Sequence, residues 1–256
     1  MEYLYKYTPH NNDSRKYEII TKSQLWFSKI ESFNDPIDSK LDYRQQYSYN
    51  EIENYWKFFL KNKPNHPQSL AEILQNWGTN QSFIEQQKRV FEIYRKRLGV
   101  LCLSKNPENI LMWSHYANNH KGIVYEFKND LFKNTDSVTN SFNGNDNKVI
   151  YPNNKSYELL SYTKTGKGKK EQFAKELLTK AKDWEYEEEY RMIDFENSGN
   201  KIFKKESLCS IIFGVKTADI EIDIIKCLCQ KYGLNHVKFK KAQFKKGKFE
   251  IEIVDI

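Results

Sequence analysis

The chain has 256 residues and a formal net charge of +7, with 39% hydrophobic, 29% charged and 15% aromatic residues. At about 150 residues per domain this length holds one large domain or two small ones, and roughly 70–75% of the unfolded surface is buried without a disulfide or metal staple. Few glycines and prolines beside 17 tyrosines and 16 phenylalanines exclude a collagen-like or disordered chain, and no apolar run reaches the length of a transmembrane helix or signal peptide. A soluble, cytoplasmic protein with no membrane partner is expected.

Tyr3 to Tyr7 alternates in polarity and predicts a first strand. Residues 14–24 read as a short helix with Ser14 as N-cap, and residues 25–28 as a second strand. Phe33-Asn34-Asp35-Pro36 is turn chemistry, because a residue before proline avoids the helical region. Residues 41–98 carry aromatic residues at helical spacing (Tyr55, Trp56 and Phe59, then Phe83, Phe91 and Tyr94) and read as a helical insertion whose aromatic stripes form core. Pro64 and Pro67 divide it into at least two helices.

Gly99 to Ser104 predicts a buried strand, residues 107–117 a helix stopped near Gly122, and residues 122–127 another strand. Residues 128–147 read as a mobile polar loop, with short strands at Lys148–Tyr151 and Tyr157–Leu160. The basic stretch TKTGKGKK, residues 163–170, reads as flexible, followed by a helix over 171–182. Glu187 to Phe195 predicts a strand that puts Glu187 and Glu189 on one face, since side chains repeat with period two. The last part reads as a strand–helix–strand extension over 205–256, with Gly233 stopping the helix. The whole is a single α+β domain of mixed or antiparallel small sheets forming a cleft, interrupted by the insertion.

P-loop, Rossmann, nucleophile-elbow and zincin signatures are absent. The four cysteines lack paired Cys/His spacing, so they read as reduced buried thiols and no metal site is expected. Polar and aromatic groups concentrate instead in four segments: Tyr5-Lys6-Tyr7, Phe33 to Pro36, Cys102 to His120, and Trp184 to Arg191.

In order, the motifs L-Y-K-Y, L-W-F-S with F-N-D-P, C-L-S with M-W-S-H-Y-A-N-N-H-K-G, and W-E-Y-E-E-E-Y-R resemble the bacterial family known as domain of unknown function 2971, over about residues 3–195. More distantly, the arrangement resembles ADP-ribosyltransferase-like folds, which bind NAD between two small sheets. That resemblance implies NAD as substrate, with Glu189 catalytic and Glu187 auxiliary. Tyr5, Lys6, Ser104, His115 and Tyr116 would line the pocket, and Arg191 would bind phosphate or orient Glu189. A carboxylate beside the ribose stabilises the oxocarbenium-like charge that develops as nicotinamide leaves. The kind of enzyme suggests a toxin or phage-defence effector, with a nucleotide as small-molecule partner and a protein or nucleic acid as acceptor.

Two other readings stay open. A metal-dependent nuclease or phosphohydrolase would use Asp35, Asp38, His115 and the acidic run at residues 187–189, with Mg²⁺. Asn34 and His120 are further candidate site residues. A non-enzymatic nucleic-acid or partner-binding module would use the lysines at 238–248, which alternate with Phe239, Phe244 and Phe249. The plainer account of that last stretch is a hairpin with phenylalanines inward and lysines outward, guarding an edge strand.

Overall fold

A computed structural model describes residues 3–10, 15–132, 147–154 and 156–256. The chain divides into two compact units. The first comprises Met1–Lys29, Leu98–Val149 and Asp183–Ile256, and the second Ile30–Arg97 and Ile150–Lys182. The second unit therefore takes in more chain than the insertion expected over 41–98. Ser14 and most of the 128–147 loop lie outside the described residues.

In the first unit, the described residues form a mixed α+β structure with one large and one small sheet. The strands are β1 (Tyr3–Thr8), β2 (Gln24–Phe27), β3 (Gly99–Ser104), β4 (Ile123–Lys128), β5 (Glu189–Asp194), β6 (Gly199–Ile202), β7 (Leu208–Phe213), β8 (Lys238–Phe244) and β9 (Ile251–Asp255). The large sheet runs β5-β3-β1-β4-β7-β8-β9, and β2 pairs with β6. All pairings are antiparallel except β7 with β8. A parallel pair needs a crossover, supplied here by the helix Asp219–Lys231. Gly233, at φ +74°, ends that helix as expected.

Period-two alternation gives the sheet two apolar faces. Leu4, Tyr125, Phe127, Ile211 and Phe213 share one core with Leu25, Phe27 and Phe203. Tyr7, Val124 and Ile212 share another with Met112 and Trp113. The latter pair sits on α5 (Ile110–Tyr116), which is shorter than the 107–117 expectation because Asn109 is its N-cap, accepting from the amides of Leu111 and Met112. Gly122 is not its cap. Ala117 closes the helix, and a Cβ on Gly122 would meet the Thr8 carbonyl at 2.3 Å, so glycine is required by the close approach of β1.

The expected helix over 14–24 shrinks to Glu18–Thr21. Ser23 turns at φ +52° and the next residue pairs with Ile202, so sheet pairing overrides helix propensity. That partner strand, β6, has no counterpart in the sequence reading.

In the second unit the helices are Tyr49–Lys61, Leu70–Trp77, Asn80–Arg95 and Gly166–Leu177. The first two begin at capping boxes, Ser48 with Glu51 and Ser69 with Glu72. Residues 41–48 precede the first helix, contrary to the expectation that helix starts at 41, and Tyr43 bridges to Leu160 instead. The fourth helix starts inside the basic stretch and stops at Leu177, not Lys182. The strands expected at 148–151 and 157–160 are isolated bridges only. Tyr55, Trp56, Phe83 and Phe91 form an aromatic core, as the helical spacing implied, although Tyr94 is exposed; Tyr43, Tyr47 and Tyr162, outside the helices, complete it.

Within this core Glu176 is fully buried and accepts from the Tyr43 phenol at 2.9 Å and from the Arg95 guanidinium. Removing one partner of a buried pair leaves an uncompensated charge. Arg95→Met is therefore expected to cost about 3 kcal/mol in denaturant unfolding, and Arg95→Met with Glu176→Leu to recover most of it. An unchanged midpoint for the single variant would refute this account of the pair.

Candidate functional site

The candidate residues of the first unit gather where β1, β3 and β5 run side by side. Tyr5 is paired with Ser104, and Ser104 with Glu189. The three thus form one row across adjacent strands, with Tyr5 and Glu189 about 10 Å apart by strand spacing. Beside the row, the Tyr116 phenol on α5 donates to Glu187 Oε1 at 2.6 Å. Ser104 Oγ donates to the Glu187 carbonyl at 2.7 Å.

Glu187 and Glu189 do not share a strand face. Glu187 ends a 3₁₀ turn, Lys182–Glu187, and Glu188 kinks the chain at φ +44° before β5 begins. The kink is held by the Glu188 amide on the Glu185 carbonyl at 3.1 Å, and the Glu188 side chain accepts from Asn106 at 3.0 Å. The period-two relation instead joins Glu189 to Arg191. Arg191 Nε donates to Glu189 Oε1 at 2.8 Å and Nη2 to Oε2 at 3.0 Å. Arg191 is only 1% exposed, and its planar fork engages both oxygens of Glu189.

Lys6 also faces inward. Its Nζ donates to the Cys102 carbonyl at 3.1 Å. Burial depresses its pKa, and Cys102 and Glu189 oppose that shift. Burial also pushes the Cys102 thiol well above its usual range, with Glu189 adding to the effect. The Tyr5 pKa rises to about 12, first through burial and then through Glu126, so its phenol remains a donor at neutral pH.

His115 is exposed and touches only rings in its described contacts, with centroids 6.4 Å from Tyr116 and 6.2 Å from Tyr186. His120 is buried in a left-handed turn at φ +67°, and its Nε2 pairs with Ser114 Oγ at 3.0 Å. Burial lowers its pKa, aided by Lys216. These contacts make His120 a turn residue rather than part of the carboxylate cluster. Asn34 and Asp35 belong to the second unit. Asp35 accepts from the Ile37 amide at 3.0 Å, which is turn formation. Asp38 accepts from Ser39 Oγ and lies 3.6 Å from Lys180. Among the described residues, no group of three or more His, Cys, Asp or Glu side chains is arranged to hold a metal ion.

Two residues escaped the sequence reading. Glu126, buried within β4, accepts from Ser210 and from Lys240 Nζ, the latter at 2.7 Å. It lines a cavity of about 320 Å³ with Tyr5, Glu108, Ile212 and Lys240. The signal was present: an acid inside the apolar run Ile-Val-Tyr-Glu-Phe needs a paired cation. Asn109 both caps α5 and donates to the Tyr186 carbonyl at 2.9 Å, tying the helix to the turn that carries Glu187.

Residues 112–192 match the family model described as a protein of unknown function, DUF2971. The match supports the family resemblance and spans Tyr116, Glu187, Glu189 and Arg191, while Tyr5, Lys6 and Ser104 lie outside it. No curated protein and no solved structure matches the chain.

The thiols offer a direct check on this packing. Cys227 is exposed, whereas burial raises the pKa of Cys102, Cys209 and Cys229, the last to about 11. Alkylation of the native protein at neutral pH should modify Cys227 first and leave Cys229, 2% exposed, unmodified until unfolding. Peptide mapping that finds Cys229 modified early would contradict this packing. Asn109→Ala should cost about 1–2 kcal/mol of stability by denaturant titration, through loss of the cap.

Proposed function

We propose that the chain is an NAD-utilising enzyme of ADP-ribosyltransferase-like type, acting as a transferase or an NAD glycohydrolase. The observation that supports this reading most is the adjacency of β1, β3 and β5, which brings Tyr5, Ser104 and Glu189 into one row with the Tyr116–Glu187 pair beside it. The same three strands carry the first-strand, serine and glutamate positions that the resemblance requires.

In this reading the C1′–N bond of NAD breaks and its electron pair leaves with nicotinamide as a neutral base. The ribose develops oxocarbenium-like charge, which an ionised carboxylate stabilises. Glu189 is suited to that role because the planar fork of Arg191 holds both of its oxygens and sets their orientation. Water or an acceptor hydroxyl then adds to C1′ and gives up its proton. Glu187 is the auxiliary carboxylate, oriented by Tyr116, and is suited to accept that proton.

The test is NAD consumption by purified protein, followed by nicotinamide release. Glu189→Gln is expected to lower turnover by about 10²–10³-fold, the scale of losing one electrostatic stabiliser. Tyr116→Phe should lower it by a smaller factor, since it removes orientation and keeps the carboxylate. Wild-type protein that neither cleaves nor binds NAD would sink the proposal. An effector role would appear as growth arrest on expression that Glu189→Gln relieves.

A further inference from the structure

We propose that the β8–β9 hairpin binds single-stranded nucleic acid. The plain account of this stretch, phenylalanines inward and lysines outward, fails at two of its three phenylalanines. Phe239 packs inward, stacked against Phe213 at 6.2 Å. Phe244 is 51% exposed, and Phe249 is 101% exposed, its whole ring in water. Phe244 pairs with Ile251 at the end of the hairpin ladder, and the Lys245 amide donates to the Glu250 carbonyl at 2.9 Å to close the loop. The loop itself is Lys245 to Glu250, with Gly247 at φ +75° making the turn.

Charge and shape favour a polyanion with unstacked bases. Residues 238–256 carry six lysines (238, 240, 241, 245, 246 and 248) against three acids (Glu250, Glu252 and Asp255). Three of those lysines are engaged: Lys240 with Glu126 at 2.7 Å, Lys241 near Asp219 at 3.9 Å, and Lys245 with Glu250 at 3.1 Å. Lys246 and Lys248 flank Gly247 in the turn, and both are exposed, as is Phe249, the residue that follows Lys248. Ammonium groups beside an exposed flat ring match a phosphate backbone whose bases stack on aromatic side chains. A duplex offers no such face, because its bases are stacked inside, and the hairpin presents no helix to enter a groove.

The loop also borders a recess. A cavity of about 390 Å³ lies between the hairpin and the start of α5, with Ile110, Leu111, Phe249 and Ile251 as apolar walls. Lys245, Glu250, Glu108 and Asn109 complete it. Its apolar walls suit the face of a base, while Lys246 and Lys248 hold the backbone outside. The NAD reading is not needed for any of this, and binding is measured with no NAD present, so the two proposals fail separately.

The experiment is fluorescence anisotropy of the full chain with labelled oligo-dT and oligo-U of about 20 nucleotides, and with a duplex of equal length. Single strands should bind more tightly than the duplex, with affinity falling as salt rises from about 50 to about 200 mM. Phe249→Ala should weaken binding by about 5- to 100-fold, the scale of one lost base–aromatic stack. Lys246→Gln with Lys248→Gln should lessen the salt dependence by about one to two released counterions. Both changes are on exposed side chains, and unchanged circular dichroism and melting will establish that the variants fold. No binding at low salt, equal binding of duplex, or indifference to Phe249→Ala would overturn the proposal. So would sedimentation in which Phe249→Ala abolishes self-association and leaves nucleic-acid binding intact, since the patch would then serve a second copy of the chain.

Discussion

Strand β1 has a partner on each side, and the larger unit is organised from that fact. All six of its residues pair with β4, while Tyr5 pairs with Ser104 of β3 on the other edge. A strand at the interior of a sheet satisfies its backbone polar groups only if both neighbours are present. Both neighbours come from about a hundred residues further on, so β1 cannot settle until the middle of the chain is made. Gly122 reflects this constraint, because only a residue without Cβ lets the turn after α5 lie against Thr8.

Around that centre, buried charge is handled in pairs. Glu189 is held by Arg191, Glu126 by Lys240, and Asp194 lies 2.6 Å from Lys201. Each isolated charge would cost several kcal/mol, so the cations are fixed wherever the acids are fixed. The arrangement at Glu189 does more than offset burial. An arginine fork on both carboxylate oxygens sets the orientation of the acid, which a single lysine contact does not. Tyr116 gives Glu187 a directed partner in the same way, while Asn109 fastens α5 to the turn below it.

Much of the fold was legible because period and punctuation are local. The strands at Tyr3–Thr8, Gly99–Ser104, Ile123–Lys128 and Leu208–Phe213 stand where alternation or an apolar run put them. The helix before Gly233 stops where glycine permits a left-handed residue. Strand β6 was invisible because Gly199-Asn-Lys-Ile carries almost no apolar signal and exists only by pairing with β2. The kink at Glu188 was invisible as well, because a run of glutamates beside a strand reads as more strand. That kink is what separates Glu187 from Glu189 and gives them different partners.

The sequence by itself determined which residues are unusual: a polar aromatic first strand, an acidic run before Tyr190 and Arg191, and phenylalanines alternating with lysines near the end. Composition and period establish such features because each depends on neighbours a few positions away. Only the tertiary structure decided that Tyr5, Ser104 and Glu189 form one row, that Arg191 belongs to Glu189, and that Phe249 stands in water. Those facts depend on which strand pairs with which across a hundred residues, and on which face of a closing turn is left uncovered. Side-chain periodicity gives a face but never names its neighbour.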